Sequence, residues 1–205
     1  MFNSIKLYSA RLLRRIYSSS CLVFFRIDEK EVTSNAEVFD QIIKVTTPKD
    51  LTDLNLIEND LYYRVSRELN AGKRAYIIIE ARQILHASCA SEGRVFVGEI
   101  GLHIETAPMT YIYNCMTDVK HRGKGYYYKT LKKIASESRE AGIIITCLAN
   151  NQSSMSVIKK LHPVELGRVQ SDQFLGFRKR VADEAARCFL CKQKYANGKI
   201  TRTYL

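Results

Sequence analysis

The chain reads as an α/β protein, with a central twisted mixed sheet flanked by helices on both faces. Short apolar, β-prone runs recur at 21–27, 75–80, 109–117 and 143–148, and each has strand length. Segments with apolar residues three and four apart alternate with them, as helices that bury one face require. The three prolines, at 48, 108 and 163, all fall between expected elements, so none breaks a helix or strand. A chain of 205 residues can bury one good core, and one main domain is expected.

The elements follow in order. Residues 4–17 form a basic amphipathic helix in which Ile5, Tyr8, Leu12 and Ile16 share a stripe beside Arg11, Arg14 and Arg15. Three readings of it stand in this order: a helix packed on the domain, a peripheral contact with the inner membrane surface, or an organellar transit peptide. It is not a secretory signal, since the apolar core spans only about five residues and no small-residue cleavage site follows. Strands are expected at 21–27 and 41–46. A helix at 49–69 has Leu51, Leu54, Ile57, Leu61 and Val65 in phase. Strands then fall at 75–80, 83–89, 95–105 and 109–117. A helix covers 124–140, a strand 143–148, a helix 152–161, and strands 164–170 and 173–180. From Ala182 a short helix leads into a loose basic tail. The domain plan is therefore a basic N-terminal helix (1–19), a main α/β domain (20–181) and a basic tail (182–205).

The formal net charge is +11, concentrated at the N-terminus, around residues 119–136 and in the tail. Such a surface suits anionic substrates, anionic lipid or nucleic acid. Charge is the sole support for nucleic acid, and no recognised nucleic-acid motif accompanies it. The longest apolar runs, such as Cys21–Phe25 and Tyr76–Ile79, are far too short to span a bilayer. The six cysteines are scattered, and unbonded thiols in a reducing, cytoplasmic setting are expected. Cys188 and Cys191 form a lone C-x-x-C pair without two further ligands at suitable spacing, so no metal site is expected.

The sharpest feature is Met116-Thr117-Asp118-Val119-Lys120-His121-Arg122-Gly123-Lys124-Gly125. It lies between the strand at 109–117 and a helix whose buried face carries Tyr127, Leu131, Ile134, Ala135 and Ser138. Six cations and no carboxylate lie between Val119 and Ser136. A glycine turn at a helix start lets backbone N–H groups converge on an anion, and the helix dipole adds about half a positive charge. The Walker spacing is absent. The dinucleotide fingerprint fails because Tyr128 stands where its last glycine belongs. What fits is R-G-x-G after a strand, followed about 25 residues on by Asn151 at a helix start.

This pair of segments resembles the GNAT superfamily of acyl-CoA-dependent acyltransferases. Their pattern runs V-x-P-x-x-R-G-x-G-x-[GA], then a helix, a strand and N-x-x-[AS]-x-x-x-Y-x-x-x-G-F. Thr117 stands at the Val and Val119 at the Pro. Arg122, Gly123 and Gly125 match, and Tyr127 takes the small-residue position. Asn151 and Ser154 match the second segment, Ile158 stands at the Tyr, and His162-Pro163 replace Gly-Phe. The similarity covers roughly Tyr76 to Arg180. A finer likeness points to proteins of cell-surface polysaccharide functions.

The resemblance implies transfer of an acetyl or other acyl group from acyl-CoA to an amine of a small molecule or amino sugar, by direct attack in a ternary complex. It implies a strand that splays before the glycine turn, with Cys115, Met116, Thr117 and Val119 beside the thioester. The N–H groups of Arg122, Gly123, Lys124, Gly125, Tyr126 and Tyr127 would face the pyrophosphate, with Asn151 and Ser154 completing the donor site. The loss of Tyr at 158 removes the usual donor of a proton to the CoA thiolate. For the base, period-two alternation through 95–105 puts Phe96, Ile100, Leu102 and Ile104 on one face and Glu99, His103 and Glu105 on the other. Glu99, His103 and Asp118 are the candidates. The alternatives are a CoA-binding module of the same fold without turnover, and a basic nucleic-acid-binding protein.

Overall fold

Strict alternation of apolar side chains organises the chain around its first strand: Val23, Phe25 and Ile27 enter one core, while Leu22 and Phe24 enter another. In this computed structural model, residues 17–28, 41–138, 141–174, 177–187 and 190 are described. In chain order the elements are β1 (Tyr17–Ile27), β2 (Ile42–Val45), α1 (Pro48–Asp53), α2 (Asp60–Asn70), β3 (Arg74–Glu80), β4 (Gln83–Ser91), β5 (Arg94–Val97) and β6 (Leu102–Glu105). There follow β7 (Thr110–Thr117), α3 (Tyr126–Glu137), β8 (Ile143–Leu148), α4 (Gln152–Lys159), β9 (Val164–Phe174) and β10 (Phe177–Ala182).

Eight strands form one mixed sheet in the order β10-β9-β1-β8-β7-β4-β3-β2. Every neighbouring pair is antiparallel except β7–β8, which is parallel. α3, α4 and the turn after α4 cover one face through Leu131, Ile134, Ala135, Ile158 and Leu161. The other face has two covers: α1 and α2 over β2–β4, and the β5–β6 hairpin over β1, β8 and β9. The expected mixed sheet with helices on both faces is what forms.

Three local expectations are corrected. The helix expected at 49–69 is two helices. α1 starts on a capping box between Thr47 and Asp50 with Pro48 in its first turn, and α2 restarts where the Asn59 side chain accepts from Tyr62 N. Between them Asn55 takes φ +45°, and Ile57 spends its N–H on Arg82 O at 2.7 Å. Capping chemistry overrode an apolar phase that ran straight through.

The strand expected at 95–105 is a hairpin that turns at Gly98–Gly101. The turn shifts the phase, so Val95 and Val97 face the sheet with Ile100, Leu102 and Ile104. Phe96 lies outside, paired with His103. Arg178 and Arg180 of β10 hold the turn by donating to the carbonyls of Gly98, Ile100 and Gly101.

The short helix expected after Ala182 forms over residues 184–187, and the tail beyond residue 190 lies outside the described residues. Ala186 and Leu190 are buried in the hairpin-side core, and Asp183 accepts from Arg168 N and Ala186 N. Residue 17 begins β1, whereas the helix was expected to reach that far. The rest of that helix and Cys188 and Cys191 lie outside the described residues.

Packing of the post-β10 segment on β9 depends on a missing side chain. Gly167 has φ +133°, and a Cβ there would lie 2.2 Å from Ala186 N. Backbone cannot swing aside as a side chain can, so Gly167→Ala should destabilise the fold by roughly 3 kcal/mol. The expected readout is a lower urea midpoint with an unchanged slope; an unaltered midpoint would mean that the segment yields freely.

Candidate active site

β7 and β8 are bonded as parallel strands only through Thr110–Ile112 and Ile143–Ile145. Beyond them the strands separate. Asn114 adopts φ +48° and bulges β7, which stays with β4 through the pairs Ala87–Met116 and His86–Thr117. β8 stays with β1 as far as Leu148–Leu22. A wedge therefore opens between residues 113–117 and 146–148, bounded by strand edges that have no strand partner across it. Such edges call for hydrogen bonds, and an extended ligand with amides of its own can supply them.

The mouth of the wedge is the glycine turn. Asp118 starts it, accepting from Lys120 N at 3.0 Å and pairing with His121 Nδ1 at 2.9 Å. A 3-10 turn over Val119–His121 follows. Gly123 and Gly125 then take φ +82° and +77°, a region costly for any residue with a Cβ. Gly125 is the N-cap of α3 and no side chain caps that helix. The first-turn N–H groups are thus presented outward, beside exposed Lys120, Arg122 and Lys124. This is the chemistry of a phosphate or pyrophosphate seat.

Beneath the turn lies a polar cluster that sequence reasoning missed. His86, wholly buried, shares hydrogen bonds between Nδ1 and Thr117 Oγ1 at 2.7 Å and between Nε2 and Ser88 Oγ at 2.9 Å. The Tyr127 ring lies 6.1 Å from the His86 ring, with its hydroxyl against the Cys115 thiol. Tyr127 therefore turns its bulk into the core and leaves its backbone N–H in the turn. The only sequence signal was two polar residues at i and i+2 inside the apolar run 84–90. Burial pushes the Cys115 thiol up to about 12 and raises that of Cys147 as well. Both stay protonated near neutrality and are poor nucleophiles.

On the opposite face, Glu68 of α2 accepts from Tyr113 Oη at 2.9 Å and from Asn114 Nδ2 at 3.1 Å. Tyr113 stacks on Tyr111 at 5.7 Å, and Tyr111 Oη shares a hydrogen bond with Thr146 Oγ1 of β8. Glu68 sits in the last turn of α2 beside Arg67 and carries no motif, so nothing in the sequence distinguished it.

The three residues expected as bases lie apart. Asp118 is committed to the turn, and its bond to His121 lowers its pKa. Glu99 is at the tip of the hairpin, where its carbonyl accepts weakly from Ser20 Oγ at 3.5 Å. His103 is on the outer face, 5.1 Å from the Phe96 ring. Asn151 caps α4 through Ser154 N at 3.1 Å, and Ser154 borders the Cys147 thiol. Ile158 is fully buried. His162, at the position of a motif glycine, has φ +48°. Among the described residues no group of His, Cys, Asp and Glu is arranged for a metal ion.

Burial lowers His86 from 6.5 to about 4. The unfolded chain takes up this proton near pH 6.5 and the folded chain only near 4. The neutral ring thus favours folding fully above pH 6.5, and that advantage drains away as pH falls towards 4, by about 3 kcal/mol. Urea unfolding from pH 7 to 4.5 should show this loss, and His86→Gln should remove that part of the slope.

A family model described as the acetyltransferase (GNAT) family matches residues 52–162. Among solved structures, a GNAT-family protein from Novosphingobium aromaticivorans is 12% identical with a TM-score of 0.50, over 75% of this chain and 63% of that one. A GNAT-family acetyltransferase from Colwellia psychrerythraea is 16% identical with a TM-score of 0.48, over 82% of this chain and 61% of that one. This chain spans less than two thirds of the length of either. No curated protein matches it. The family match covers more than half of the 205 residues and contains the parting strand, the glycine turn, α3 and α4. The chain belongs to the GNAT acetyltransferase family.

Proposed function

We infer that this protein transfers an acetyl group from acetyl-CoA to a primary amine of a small molecule or amino sugar, by direct attack in a ternary complex. One observation carries the reading: the uncapped N-terminus of α3, with its two left-handed glycines, opens onto the wedge between β7 and β8. The turn suits the pyrophosphate of CoA. The free strand edges suit the two amides of pantetheine, and an N–H on the β7 edge suits the oxyanion that develops on the thioester.

The distribution of charge supports the same assignment. Lys120, Arg122 and Lys124 crowd the turn, while Glu68 and two stacked tyrosines lie on the opposite face near the apex of the wedge. An anionic donor and a cationic acceptor would be drawn to different sides. The protonated state of Cys115 and Cys147 speaks against an acyl-cysteine intermediate and for direct attack.

A second reading, CoA binding without turnover, draws on Ile158, a buried aliphatic side chain where the family pattern carries a tyrosine hydroxyl. Thiol release from acetyl-CoA over a panel of amines separates the two. Steady release favours the enzyme; tight binding with no release on any amine favours the module.

Both readings need the glycine turn. Gly125→Ala leaves the added Cβ without neighbours within 4 Å but forces alanine to φ +77°, costing about 1–2 kcal/mol. Acetyl-CoA should bind roughly tenfold more weakly by calorimetry, with a circular dichroism spectrum like the parent's. Undiminished affinity would remove the turn from the donor site.

A further inference from the structure

We propose that Glu68 is the final proton acceptor of the acyl transfer, and that the proton reaches it through the hydroxyl of Tyr113. The inference rests on the acyl-transfer reading and adds a residue outside both matched motifs.

The geometry is specific. Tyr113 is the first residue of β7 beyond the last pair with β8, and Asn114 is the bulge. Both side chains end on one carboxylate: Tyr113 Oη donates to Glu68 Oε2 at 2.9 Å, and Asn114 Nδ2 donates to Oε1 at 3.1 Å. Arg67 of α2 donates to Oε1 at 3.3 Å. The Glu68 side chain is 15% exposed, so its charge is little screened. Cys89 of β4 also lies within its electrostatic reach. The carboxylate is therefore fixed to the two residues at the apex of the wedge, on the face opposite α3. A ligand seated on the turn and running down the β7 edge would bring its reactive end there.

The step balances. The acceptor ammonium gives one proton to Tyr113 Oη as the phenolic proton moves to Glu68 Oε2. The freed nitrogen lone pair attacks the thioester carbon, and the carbonyl π electrons move to oxygen. When the tetrahedral centre collapses, the C–S bond breaks and the CoA sulfur takes the second nitrogen proton. The products are the amide, CoA thiol and a protonated Glu68, which returns its proton to solvent. Tyr113 regains a proton in the same motion that loses one, so no free phenolate forms.

The test measures thiol release from acetyl-CoA with hydroxylamine, glucosamine and spermidine, for the parent, Glu68→Gln and Tyr113→Phe. Glu68→Gln keeps one acceptor oxygen, which can serve Tyr113, and turns an N–H2 towards Asn114, whose amide can meet it through its own oxygen; it cannot take a proton. Its kcat should fall about 100-fold, with acetyl-CoA affinity within twofold of the parent and the acidic limb of the kcat–pH profile lost. Tyr113→Phe should fall comparably, and the double variant should be no slower than the worse single one. A Glu68→Gln enzyme with kcat within threefold of the parent, or with its acidic limb intact, overturns the proposal. So does a loss that lies wholly in acetyl-CoA binding, since that would make Glu68 a strut for the bulge. If the parent releases no thiol with any of the three amines, acyl transfer itself fails and this inference with it.

Discussion

The parting of β7 from β8 is the constraint on which the site depends. Parallel strands pair evenly, and nothing intrinsic to the ladder stops them after three residues. What stops them is that each strand is held more firmly on its far side. β8 is paired with β1 from Ile143 to Leu148, and β4 holds the end of β7 through backbone pairs and the His86–Thr117 bond. Asn114 absorbs the mismatch with one left-handed residue. A bulge next to a site re-aims side chains as well as backbone. Here Tyr113 faces the α2 side, and Cys115 and Thr117 face α3.

The same division separates the two kinds of chemistry. On the α3 side the polar groups beneath the turn are neutral: an imidazole held neutral by burial, hydroxyls and protonated thiols. The positive charge beside them lies on the exposed turn, at Lys120, Arg122 and Lys124. On the α2 side a carboxylate is anchored at the apex. A neutral floor beneath a cationic rim gives an anion a seat without burying an unpaired charge, which would cost far more than the seat returns.

Much of the fold was legible in the sequence because period-two and period-3.6 patterns report burial directly. The α3 face was read from Leu131, Ile134 and Ala135, all fully buried. The glycine turn was legible because two glycines one residue apart before a helical pattern mark a local backbone that takes positive φ at little cost. The hairpin at 94–105 was not, because Ile100 follows Val97 by three residues and a straight strand reads past the turn. The break between α1 and α2 was hidden behind apolar residues in good helical phase; Asn59 decided it through two side-chain bonds, accepting from Tyr62 N and donating to Ile84 O. Glu68 and His86 could not be found because their roles are created by strands distant in sequence. Glu68 meets Tyr113 and Asn114 across 45 and 46 residues. His86 meets Thr117 across 31.

Tyr127 shows how a departure from a motif can be accommodated. The family pattern has a small residue there, close to the phosphate seat, and a phenol pointing outward would occupy that space. The ring instead enters the core beside His86, with its hydroxyl on Cys115. The inward rotamer needs a polar recess under α3, and His86, Ser88 and Thr117 provide one in which their own groups are already paired. The histidine's polar atoms are met by Thr117 and Ser88 and the phenol by Cys115, so the two rings fill the space between the end of β7 and the start of α3 and leave the backbone of the turn free for its ligand.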